Sequence, residues 1–183
     1  MVNRLACLFV LLFSVQTAPL SAAEKSSPES IAISETGVGP INQNTPFELK
    51  AVQNLLPRFN VTSGVDYTEG EEFPILKVSD RQGLLLTINP GDEKSIFSVV
   101  AKSNRVKNEL GVRIGDSYAK VYGNQLGSCS PGTEEFSGTV FCMAPGSKHV
   151  IYLFVGKWDG PDGQMPPIDV LRSWKVKAIF WQP

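Results

Sequence analysis

The run from Lys148 to Trp158, KHVIYLFVGKW, narrows the choice of fold more than any other stretch of this chain. Side chains alternate across a strand. His149, Ile151, Leu153 and Val155 therefore share one face, and Val150, Tyr152, Phe154 and Trp158 share the other. Both faces are apolar, which predicts a central strand of a sheet covered on both sides. The run before it, Glu135 to Met143, is similarly rich in Val, Thr and Phe, and Ala144-Pro145-Gly146-Ser147 separates the two. Pro and Gly punctuate a turn, so the pair predicts a hairpin. Cys129 and Cys142 flank the approach to it and are placed to staple it.

The compartment follows from the other end of the chain. Arg4 is followed by an apolar run, Leu5 to Val15, about ten residues long, the size of a signal-peptide core and about half of a membrane span. Pro19 breaks any helix, and Ser21-Ala22-Ala23 supplies small residues for cleavage. The expectation is a cleaved signal peptide over residues 1–23, with the cut after Ala23, and a periplasmic or otherwise exported product. Lipidation at Cys7 does not fit. Arg4 stands where a lipobox wants an apolar residue, and almost no signal core precedes the cysteine, so no lipobox is present to anchor the chain in a membrane.

Of 183 residues, losing 23 leaves 160, enough for one domain with an ample core. Losing Arg4 from 17 basic residues leaves 16 against 18 acidic ones, a net charge of −2. So small a charge gives no basis for a nucleic-acid or polybasic membrane partner. Of three cysteines, Cys7 leaves with the signal, and Cys129 and Cys142 can pair only with each other. An oxidising compartment favours that disulfide. Their separation does not match redox C-x-x-C or zinc spacing.

The rest of the chain reads as short elements between turn signals. Residues 24–36 form a flexible lead-in, Glu24 to Ser30, with a first short strand at Ile31 to Ser34 (IAIS), and the main domain runs over 37–183. Thr45, Pro46 and Glu48 make a capping box with proline at the first helical position. They open a helix whose apolar face is Leu49, Val52, Leu55 and Leu56, and Pro57 ends it. Strands are expected at Arg58 to Tyr67, Phe73 to Val78, Leu84 to Asn89 and Ser95 to Ala101, an antiparallel meander. Pro74 marks an edge or entry position. The acidic turn Glu69-Gly70-Glu71-Glu72 lacks the ligand spacing of a calcium loop and reads as a solvated turn. Asp116 or Ser117 caps a second helix through Val121, closed by Gly123. GVRIGDSYAKVYG thereby repeats the order of GVGPINQNTPFELKAV: glycine, turn, cap, helix, then strands. Pro166-Pro167 opens a third helix, Ile168 to Ser173, and Trp174 to Trp181 is the last strand. The fold class is α+β: a single twisted, mostly antiparallel sheet with two or three short helices packed on it.

Residues that carry chemistry are few. The single histidine, His149, sits at a strand start beside Lys148, and Ser137 in FSGTV is not a nucleophile elbow. There is no P-loop or dinucleotide fingerprint. No catalytic residue, metal site or cofactor is assigned. The one local constellation is WDGPDG: Trp158, Asp159, Gly160, Asp162 and Gly163. As a structural unit it is a rigid double turn, its Asp side chains bonding nearby amides. As a functional unit it is a polar-ligand loop, or an aromatic anchor for a protein or glycan partner.

The blocks GVGPINQNTPF, CSPGTEEFSGTVFC and YLFVGKWDGPDGQMPPIDVLRSW resemble a small family of RpoE-regulated envelope lipoproteins of unknown function. The likeness covers about Gly37 to Pro183. It implies an α+β domain on the periplasmic side and a link to envelope stress, and it brings no catalytic residues with it. The N-terminus departs from that pattern, having no lipobox. The expected function is non-enzymatic: an exported protein that binds an envelope protein or cell-wall component in support of envelope integrity. The alternatives are an inhibitor of a lysozyme-type hydrolase and a glycan-acting enzyme using a carboxylate pair.

Overall fold

The computed structural model describes residues 31–183. The signal segment, its cut after Ala23, Cys7 and the polar stretch Glu24 to Ser30 lie outside the described residues. The first elements are β1 (Ala32–Ser34), β2 (Gly37–Val38) and α1 (Leu49–Leu55). Then come β3 (Asn60–Thr68), β4 (Glu71–Asp80), β5 (Gly83–Pro90) and β6 (Ile96–Ala101), within about two residues of the expected meander. Beyond β7 (Lys107–Asn108) and α2 (Tyr118–Tyr122) lie β8 (Cys129–Pro131), β9 (Thr139–Met143), β10 (Val150–Val155), α3 (Ile168–Leu171) and β11 (Lys175–Trp181).

Eight strands form one antiparallel sheet in the order β3-β4-β5-β6-β11-β10-β9-β8. The β9–β10 hairpin is present, and β10 lies inside the sheet between β9 and β11. The expectation of a single sheet needs correction. A second sheet, β2-β1-β7, joins β1 antiparallel to β2 and parallel to β7. It escapes sequence reading because β7 is two residues, Lys107 and Asn108, with no apolar alternation to announce it. The expected first short strand is present as β1, where Ile33 is fully buried and pairs with both Val38 and Asn108.

One face of the large sheet carries the core. Val61, Val78, Ile88, Val99, Tyr152, Phe154, Ile179 and Trp181 pack there with Ile33 and Val38 of the small sheet and with Val52, Tyr118 and Leu171 of the three helices. On the opposite face Val100, Leu153 and Ala178 are buried beneath Phe141 and Phe180.

Local signals explain most boundaries. Pro74 lies where β4 pairs with β3 alone, since β5 begins pairing only at Leu76. Glu69 and Gly70, at φ 53° and 84°, make the tight β3–β4 turn, so the acidic cluster is a hairpin tip. Ser117 caps α2 by accepting from Lys120 N at 3.2 Å, and Gly123 ends it at φ 64°. Asp116 instead accepts from Arg113 N at 2.9 Å and pairs with Lys120 Nζ at 2.7 Å.

The capping box of the first helix does not form. Thr45 Oγ1 accepts from Asn42 N at 3.1 Å, and Glu48 pairs with Lys94 Nζ at 3.0 Å. Glu48 N donates to Pro46 O at 2.8 Å, so the α-helix starts later, at Leu49. The third helix also stops early, at Leu171 rather than Ser173.

Candidate functional site

The disulfide is present. Cys129 of β8 and Cys142 of β9 are direct partners across the ladder, with Cα atoms 4.0 Å apart. It holds β8, an edge strand of three residues, against the sheet. The segment between β8 and β9 folds tightly on Gly132, which is buried: a Cβ there would lie 2.2 Å from Phe136 O. Thr139 Oγ1 donates to Phe136 O at 2.7 Å, and Gly132 N donates to Thr139 O at 2.9 Å. The expected strand from Glu135 therefore starts only at Thr139, because Glu134–Phe136 is a short 3-10 turn. Its tip presents Ser137.

Facing that tip is the WDGPDG loop, which leaves the end of β10. The indole of Trp158 lies over Gly160, where a Cβ would fall 2.0 Å from the ring. Gly163 holds φ 69°, a left-handed backbone that glycine adopts at no steric cost. Ser137 Oγ donates to Asp162 Oδ1, tying the two segments side chain to side chain across 25 residues of sequence.

Between them lies a cleft of about 200 Å³, lined among others by Trp158, Gly160, Asp162, Gly163, Ser137, Thr139 and Gln164, with Trp174 as part of its wall. Four of the five loop residues singled out from sequence thus meet in one cleft. Asp159 does not line it and is exposed.

Sequence reading misses Ser137, Thr139, Gln164 and Trp174 as site residues. Ser137 draws notice there only as a nucleophile without an elbow, and Trp174 only as a strand residue. Nothing local signals that the segment after β8 folds back onto a loop that comes after β10.

Trp174 is fixed from several sides. Its N donates to Leu171 O at 2.9 Å and its O accepts from Tyr118 N at 2.8 Å, while its ring presses on Gly156, where a Cβ would be 2.1 Å from Cδ1. It is 2% exposed, and its Nε1 is the one buried side-chain nitrogen or oxygen without a hydrogen-bond partner among the described residues. Such an orphan costs about 1–3 kcal/mol. By contrast Trp181 Nε1 donates to Glu35 O at 3.3 Å.

The cleft is electrostatically simple. Asp162 is its only charged lining residue; no Lys, Arg or His lines it. Asp162 Oδ2 and the Gln164 amide form no hydrogen bonds among the described residues, so both face outward with capacity to spare. No group of three or more His, Cys, Asp or Glu able to hold a metal occurs among the described residues. A larger groove of about 520 Å³ lies on the outer sheet face near Phe97, Phe141 and Phe180. It is apolar, and two of its polar side chains, Asn89 and Ser98, are spent on each other at 2.9 Å.

His149, at the far end of β10, has its Nδ1 2.7 Å from Gln182 O, and its backbone N donates to Ser147 Oγ at 3.1 Å. Among the described residues no helix is long and apolar enough to cross a membrane.

The chain is 31% identical over 154 residues to the uncharacterized protein YfeY of Escherichia coli strain K12, covering 84% of this chain and 80% of that protein. A crystal structure of YfeY from Escherichia coli superposes with a TM-score of 0.68, covering 83% of this chain and 99% of the other. The profile of a family described as "Protein of unknown function (DUF1131)" matches residues 18–183. With a match of that extent, and a relative of that identity and coverage, the chain belongs to this family of unknown function.

Proposed function

We propose that this is an exported, non-enzymatic envelope protein that holds a partner at the cleft between the WDGPDG loop and the Ser137 tip. The carrying observation is the cleft itself: two segments distant in sequence are tied by the Ser137–Asp162 hydrogen bond around an aromatic wall. Export is supported by the Cys129–Cys142 disulfide, which belongs in an oxidising compartment. Binding rather than hydrolysis is supported by the lining, which brings one carboxylate, Asp162, where glycosidase chemistry uses two.

The partner is an envelope protein or a cell-wall component. The test is capture from an envelope extract and co-sedimentation with isolated cell walls, with the wild type and Trp158→Ala side by side. A partner held by the wild type and released by the variant is the expected result. No partner, or one indifferent to Trp158, removes the reading.

A further inference from the structure

We infer that the cleft takes a single neutral sugar ring, so that the partner it recognises is a glycan. This deepens the reading above and rests on it. Four observations converge on that chemistry.

The first is size. At about 200 Å³ the cleft is smaller than the pockets that enclose drug-sized ligands, so it suits one small ring rather than an extended chain. The second is charge. With Asp162 as the only ionised lining group and no cation, the site repels phosphates and carboxylates. The third is the aromatic wall. Trp158, half-buried over Gly160, offers apolar surface to the C–H face of a ring, and the buried Trp174 backs that wall.

The fourth observation decides between a sugar and a quaternary ammonium ion, which aromatic walls beside a carboxylate also attract. An ammonium of that kind forms no hydrogen bonds. It would make no use of the Gln164 amide, which is exposed and lines the cleft. A sugar supplies both roles: hydroxyls that donate to Asp162 Oδ2 and Gln164 Oε1, and oxygens that accept from Gln164 Nε2.

The indoles also provide the readout. The chain has three tryptophans, and so three indole N–H signals in a nitrogen–proton correlation spectrum. Titration of the full exported chain with N-acetylglucosamine, glucose and choline chloride follows all three. N-acetylglucosamine or glucose is expected to shift the Trp158 signal saturably, with a Kd on the order of 1 mM, the weak affinity of a ligand this small. The Trp181 signal stays still, because that N–H already has Glu35 O. Trp158→Ala should weaken the sugar at least about tenfold, 1.4 kcal/mol being tenfold in Kd. Gln164→Ala, at an exposed side chain that no fold contact uses, should weaken it by a smaller factor with an unchanged melting midpoint.

Choline saturating the site while sugars do not would overturn the inference. So would an absence of any shift at Trp158, or sugar binding indifferent to both variants. Trp158-dependent capture of an envelope protein with no sugar bound would discard the glycan and keep the cleft as a protein contact.

Discussion

At the residue scale, two glycines separate stability from recognition. Gly156 and Gly160 each lie beneath an indole, but Trp174 is buried and tied down, while Trp158 is half-buried. Gly156→Ala drives a methyl into a ring that cannot yield and should cost about 1–3 kcal/mol in chemical denaturation. Gly160→Ala should change stability by less than about 0.5 kcal/mol, yet displace Trp158 and weaken partner capture. Equal destabilisation by the two would mean that the Trp158 loop is as rigid as the core.

Glu35 supports a second residue-scale prediction. The Ser147 hydroxyl, and then the Lys148 amide at 2.9 Å, hold its carboxyl below the ordinary value of 4.5. A carboxylate whose pKa falls on folding stabilises the fold above its unfolded pKa, and that stability is lost as pH drops through the folded value. Asp80, held below 3.8 by Arg105, works with the same sign. Glu35→Gln should therefore lower stability at pH 7 and shrink the fall in stability as pH drops below 4.5 in thermal melts across pH. A variant whose acid limb matches the wild type would deny the contact any role in acid sensitivity.

At the scale of elements, β8 depends on its cross-link. It is an edge strand of three residues, and edges of that length fray readily. The Cys129–Cys142 bond closes a separation of 13 residues, worth about 3 kcal/mol in the chain-entropy account. Cys129→Ala combined with Cys142→Ala should lower denaturation stability by about 2–3 kcal/mol. Amide exchange should quicken most at Cys129–Pro131 and in the segment bearing Ser137, so the cleft loosens with the edge.

This is also the scale at which sequence is most informative. Alternation and glycine or proline turns locate β3 to β6, β9, β10 and β11, since each is a local pattern read over about six residues. The features that escape are those whose partners come from elsewhere. Thr45 and Glu48 have the spacing of a capping box, but Asn42 and Lys94 claim their side chains. The small sheet is invisible because β7 contributes backbone rather than pattern. Half of the cleft is legible, the loop with its Trp, Asp and Gly. The other half is not, because no local pattern brings Ser137 to Asp162.

At the scale of the whole molecule, the order strand, glycine turn, short helix, then antiparallel strands occurs twice, with a side-chain cap on the second helix alone. β1, α1 and β3–β6 make one half; β7, α2 and β8–β10 make the other. Each half begins at an opposite edge of the large sheet and steps inward. They never pair with each other there. β6 bonds to β5 and β11, and β10 bonds to β9 and β11, so β11 alone is the seam. Removing Trp174 to Pro183 takes away the seam together with the buried Trp174, Ile179 and Trp181. The truncated chain should lose the single cooperative transition in calorimetry and the near-ultraviolet circular dichroism of ordered aromatic rings. Retention of one sharp transition would show that the halves recognise each other without the strand between them.

The position of that seam sets a timetable for synthesis. Two meanders can form while a ribosome is still at work, but within the large sheet nothing joins them until β11 has cleared the exit tunnel. Until then the large sheet is in two parts, and the strand that joins them is the last to be made.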